Sequence, residues 1–248
     1  MSLSFYIPNL EERYPALTHA ILISDFRIIS MAATKVLEGK QAALLAKKLE
    51  GRYKDAKYYL DFNTPIDLVV AAILSAQTHD EAVNRLTPNL FAKYKTAADY
   101  AKASSEELIS YIRSVSFAGN KAKNIIAACK IIQNQYKGKV PDSMEALTML
   151  PGIGRKTANT ILINAYGMVI GIPVDTWVIR LSYRLGLSGN KDPDKIESDL
   201  KEIIPKEYWH NFAYVLKAHG KTLCGAVPIC SKCPVNDICP KNGVTKRS

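Results

Sequence analysis

The chain has 248 residues, 48% of them apolar, enough to bury a substantial core and fold unaided. Thirty-three Lys and Arg against 23 Asp and Glu leave a formal net charge of +10, which favours a polyanion over a neutral small molecule as partner. The longest uncharged run, 157–174, contains Asn159, Asn164, Gly167, Gly171 and Pro173 and is a poor membrane span.

Residues 1–35 carry acidic side chains and one short apolar run, Ala20-Ile21-Leu22-Ile23, without a cleavage pattern. No signal peptide is read there, and the protein is expected to be intracellular, in the cytoplasm or at the nucleoid. The segment reads as an N-terminal extension, or as the product of a start placed upstream of Met31. From Met31 a helix-like run leads to Tyr59. Thr64-Pro65-Ile66-Asp67 then offers an N-cap, a first-turn proline and an acidic third position ahead of LVVAAILSAQ, a helix apolar on nearly all sides. Ser104 and Glu107 form a capping-box pattern, and Ala122, Ile125, Ile126, Cys129 and Ile132 mark a helix over 119–136.

The next stretch, LPGIGRKTANTIL at 150–162, turns a sharp corner between a helix over 142–149 and another over 155–166 that stops at Gly167. Gly152 and Gly154 can take positive φ and remove bulk, so the amides of the turn can face an anion. Leu150 and Ile153 would pin the two helices together. An ordinary helix–helix turn is the plainer reading, but it does not need Arg155 and Lys156. Residues 119–160 hold seven Lys or Arg against Asp142 and Glu145, and 217–248 hold six against Asp237, so positive charge gathers around the corner and the C-terminus. Beyond it, Asp175 can cap a helix to about Leu187, and further helices are expected over 192–203 and 206–223. The fold class is all-α.

Four of the five cysteines fall in the last 25 residues as C-x5-C-x2-C-x5-C: Cys224, Cys230, Cys233 and Cys239. In a reducing compartment such crowding indicates metal rather than disulfides. A zinc ribbon generally uses two C-x2-C pairs and this chain has one, so a [4Fe-4S] centre is favoured over zinc. Cys129, on an apolar helical face, reads as core.

LPGIGRKTAN, VDTWVIRL, HGKTLC and the four-cysteine group, with SAQTHD and NKAKNI upstream, resemble in order and spacing the endonuclease III family of base-excision DNA glycosylases, over about residues 40–240. The resemblance implies two helical lobes flanking a DNA cleft: a six-helix lobe at 58–168 carrying the helix-hairpin-helix, and a discontinuous iron-sulfur lobe of 36–57 and 169–248. It implies a Schiff-base lysine at Lys156. A cation at a helix start is disfavoured by the macrodipole, and that field, with Arg155 beside it, would lower the amine's pKa; a plain phosphate contact is the alternative. Asp175 would stabilise charge on the sugar or move a proton, besides serving as an N-cap. Gln77 is implied as a polar plug and Phe117 as an apolar wedge for the gap left by an extruded nucleotide. Lys121 would meet a flanking phosphate, alongside DNA contacts from Leu150, Gly152, Ile153, Gly154 and Arg155. Two features depart from the family pattern: Trp177 stands where histidine or another polar residue is usual, and the first cysteine gap is one residue short and lacks Lys or Arg.

The expected activity is therefore that of a bifunctional DNA glycosylase and abasic-site lyase on oxidised pyrimidines, a monomer acting on double-stranded DNA with no membrane partner. A mismatch-directed glycosylase and a non-catalytic DNA-binding module are the alternatives.

Overall fold

The computed structural model describes residues 34–248, whose regular structure is entirely helical. The choice between an N-terminal extension and a start at Met31 concerns residues that lie, up to 33, outside those described.

One hydrophobic core is built by α2 (Pro65–Ser75), α3 (Asp80–Lys93), α4 (Ala97–Lys102), α5 (Ser105–Ile112), α6 (Ala118–Tyr136), α7 (Met144–Thr148) and α8 (Arg155–Tyr166). At its centre α2 is buried from Ile66 to Leu74. Its start is fixed by a complete capping box, with Asp67 N–H donating to Thr64 Oγ1 at 3.2 Å and Thr64 N–H to Asp67 Oδ2 at 3.0 Å, ahead of Pro65. Two helices were not read from the sequence. Pro88 inside α3 looks like a breaker, yet Val83, Leu86 and Leu90 hold that helix on the core. Short α4 stands on a Thr96–Asp99 capping box and buries Tyr100 completely. At α5 the expected reciprocal box is half made: Ser104 accepts from the Glu107 amide at 3.0 Å, while the Glu107 carboxylate pairs with Lys93.

A second core gathers α1 (Gly39–Arg52), α9 (Thr176–Leu185), α10 (Pro193–Ile203), α11 (Phe212–Thr222) and the cysteine segment. Helix α1 joins it because Ala42, Leu45, Ala46 and Leu49 recur at helical spacing and are wholly buried. The chain thus supplies this core from both sides of the first one, and Tyr58 packs against both, its ring 5.8 Å from that of Tyr214. Helix α9 ends two residues earlier than expected because Gly186 turns left-handed at φ 71° and Leu187 N–H closes back on Ser182 O. The single helix expected over 206–223 is a 3-10 turn at Lys206–Tyr208 followed by α11. The break is held where Trp209 Nε1 donates to Ile204 O at 2.8 Å.

Candidate active site between the two cores

The corner at 150–154 joins α7 to α8. Leu150 and Ile153 are buried at 2% and 5%, so their side chains pin the hairpin to the core, and only backbone there can meet a ligand. Both belong to the first core, as expected of residues that hold the two helices of the hairpin together. Gly152 has φ 85° and sits against the Asn124 side chain, so glycine is required there on both counts. Gly154 differs from expectation: its φ is −96°, and a side chain would find open space. It N-caps α8 without a side-chain acceptor, leaving the first amides of that helix without a side-chain cap.

Lys156, in the first turn of α8, and Asp175, the N-cap of α9, line one narrow cavity of about 40 Å³ between the cores, with Tyr58, Tyr59, Asp80 and Lys217. Asp175 Oδ1 accepts from the amides of Trp177 at 2.8 Å and Val178 at 2.9 Å, which leaves Oδ2 for the cleft. Lys156 is exposed as a whole residue. Burial around its amine nevertheless lowers its pKa; Asp175 pulls the other way, Lys217 adds to the lowering, and Asp80 opposes it. The depressing cation is thus Lys217 on α11 rather than neighbouring Arg155.

The Arg155 side chain, 46% exposed, reaches to α10. Its Nε donates to Glu197 of α10 at 2.6 Å and lies 3.7 Å from Asp194. Glu197 is 3% exposed and takes a second hydrogen bond from Asn159 Nδ2 at 2.9 Å. Any side chain at Gly171 would collide with that carboxylate. The guanidinium thereby pairs a carboxylate that would otherwise be buried and unpaired.

The expected phosphate contact of Lys121 is corrected. It is 5% exposed, and its ammonium donates to Leu74 O at 2.7 Å and Thr78 Oγ1 at 2.8 Å, pointing inward rather than at a phosphate. Gln77 and Phe117 do stand at exposed loop tips, and both hold left-handed backbone, φ 52° and 57°. That conformation costs a non-glycine residue about 1 kcal/mol or more and gathers at functional loops.

Asp80 and Lys217 were missed as individual residues. They form an ion pair in the lining of the cavity, and Lys217 Nζ lies 4.2 Å from the centre of the Tyr59 ring. Asp80 closes SAQTHD and Lys217 precedes HGK, so each lies in or beside a segment that carried signal. Their pairing across 137 positions did not. Trp177 packs on the second core with the Arg180 guanidinium 4.5 Å from its ring.

The four C-terminal cysteines are free thiols that line one cavity together with Arg184 and His219. Burial raises Cys233, and raises Cys239 to about 11. Cys233 Sγ lies 3.7 Å from His219 Nε2. Among the described residues no three His, Cys, Asp or Glu side chains close into a ready metal site. Cys129 is buried in the first core.

Comparison with known proteins agrees with this geometry. Residues 70–206 match the HhH-GPD superfamily base excision DNA repair protein family. Endonuclease III of Synechocystis sp. is 44% identical over 207 residues, covering 83% of this chain and 93% of the relative. That of Bacillus subtilis is 40% identical over 220 residues, covering 86% and 100%. Among solved structures, a trapped endonuclease III–DNA covalent intermediate superposes with a TM-score of 0.79 at 37% identity, covering 83% of this chain and 97% of that one. A chain that shares the fold, the hairpin and this level of identity over nearly the full length of its relatives belongs to the HhH-GPD superfamily of base excision DNA repair proteins, within the endonuclease III family.

Proposed function

We propose that this DNA glycosylase and abasic-site lyase uses Lys156 as its nucleophile on duplex DNA carrying oxidised pyrimidines. One observation carries the assignment: a lysine with a lowered pKa and a carboxylate with a free oxygen share one cavity, each delivered by a different core. The neutral amine attacks C1′ of the damaged nucleoside; the N-glycosidic bond breaks and the base leaves with a proton. Loss of water is not needed to reach the imine, because the sugar ring opens as the nitrogen lone pair forms C=N. Removal of a C2′ proton then expels the 3′ phosphate. Asp175 Oδ2 stabilises positive character at the sugar and moves protons, while Oδ1 stays fixed by backbone.

The uncapped amides at the start of α8 receive a phosphate oxygen, and Gln77 and Phe117 fill the space left by the extruded nucleotide. The covalent DNA intermediate of the structural relative supports the amine mechanism over hydrolysis by water. The lysine also argues against a purely monofunctional mismatch glycosylase.

Cys224, Cys230, Cys233 and Cys239 would hold a [4Fe-4S] cluster. The donor set fits: four free thiols surround one cavity, and buried thiols become good ligands when a cationic centre displaces their protons. When bound, the cluster cross-links the C-terminal segment to the end of α11.

Borohydride trapping on an abasic duplex tests the assignment. Wild type should give a covalent adduct and Lys156→Ala none; an adduct that persists in Lys156→Ala would place the nucleophile elsewhere.

A further inference from the structure

The two exposed loop tips are both hydrogen-bonded, directly or through the adjoining turn, to one buried residue, Lys121. Helix α2 ends at Ser75 without a basic residue in its last turn, so its terminal carbonyls lack a cation of their own. Lys121 supplies one from α6. Its ammonium grips the turn on both sides of Gln77, at Leu74 O before it and at Thr78 Oγ1 after it. Lys121 itself sits one helical turn beyond Phe117, and its own amide donates to Phe117 O at 3.0 Å. Gln77 and Phe117 thus hang from the same residue, Gln77 through the ammonium and Phe117 through the main-chain amide, each in a left-handed conformation that the surroundings must enforce. Burial lowers the pKa of the amine, whose partners here are a carbonyl and a hydroxyl.

We propose that Lys121 is a positioning residue that fixes Gln77 relative to Phe117, so that both tips enter the duplex as one unit when a nucleotide is extruded. This rests on the reading of Gln77 and Phe117 as the groups that occupy the gap. It gives a buried lysine in the DNA-facing lobe a task that does not involve phosphate.

The test separates extrusion from chemistry. Single-turnover strand cleavage is measured at an abasic site in a duplex and at the same site in a single-stranded oligonucleotide, which needs no extrusion. A 2-aminopurine opposite the site reports unstacking. Lys121→Met should slow duplex cleavage by roughly tenfold or more and reduce the fluorescence rise, with the single-strand rate within about twofold of wild type. Thr78→Val, which removes one of the two acceptors, should show the same pattern more weakly. Gln77→Ala should cost less in the Lys121→Met background than alone.

Equal loss on both substrates would reduce Lys121 to a stability role and overturn the proposal, as would unchanged duplex rates. If Lys121→Met fails to fold by circular dichroism, Thr78→Val decides by the same criteria. Wild type that cleaves neither substrate would instead bring down the lyase assignment, and this inference with it.

Discussion

Lys156 and Asp175 face one cavity from opposite cores, the lysine from the first turn of α8 and the aspartate from the cap of α9, without forming a salt bridge among the described residues. A tight pair would hold the amine protonated. Separation within a shared, partly desolvated space is consistent with the lowered pKa of the amine, which the proposed nucleophile role requires.

The two oxygens of Asp175 have separable duties. Asp175→Asn keeps an acceptor for the amides of Trp177 and Val178, so its thermal midpoint should stay close to wild type while single-turnover glycosylase rates fall by about 10²-fold or more. Asp175→Ala should lose the same activity and also about 1 kcal/mol of stability by urea denaturation. Similar stability of the two variants would remove the capping role.

A lowered lysine pKa has a stability consequence of definite sign. The folded state holds the proton on Lys156 less tightly than the unfolded chain does, so this residue destabilises the fold at low and neutral pH. The penalty falls away as pH rises from the depressed value toward the ordinary lysine range. Lys156→Met should therefore raise the thermal midpoint at pH 7 while abolishing the trapped adduct, and the gain should shrink near pH 10. Adduct formation by wild type should rise with pH and level off below the ordinary lysine value.

Glu197 is a buried carboxylate that depends on two side-chain partners. It is sealed at 3% exposure between Arg155 and Asn159, so Arg155→Ala leaves a buried carboxylate short of its charged partner and should cost about 3–5 kcal/mol in urea denaturation. Glu197→Gln with Arg155→Gln together should cost less than Arg155→Ala alone.

The same pairing predicts an electrostatic result. Duplex binding should weaken steeply with salt, and Arg155→Gln, where it folds, should leave the slope of log K against log salt unchanged. A slope reduced by about one would show that the guanidinium meets a phosphate after all.

Iron and sulfide analysis of native protein should give about four of each per chain, with a brown chromophore. Cys230→Ser should lose the colour and lower the thermal midpoint, whereas Cys129→Ala should keep the colour, since that thiol lies in the other core.

Local signals survived well. Thr64-Pro65-Asp67 and Asp175 announced caps that the structure builds, because a cap is an interaction between residues two or three apart and needs nothing distant. The Gly152 corner was legible for the same reason. Helix α3 was not, since Pro88 contradicts its local preference and packing on α2 and α5 overrides it. Lys121 was misread for a general reason: a sequence shows that it is positive, but not that the carbonyl of Leu74 lies within its reach, just as it does not show that Glu197 lies within reach of Arg155.

By itself, then, the order of residues determined the helical class, the hairpin and a four-thiol group, all of which rest on short-range spacing, while the reading of Lys156 and Asp175 as the reacting amine and carboxylate came from family resemblance. Tertiary structure alone decided which charges point outward, which ones clasp the two cores together, and that Lys121 links two loop tips 40 positions apart. Those outcomes depend on desolvation and on partners brought close by folding, and neither is written in any local stretch of the chain.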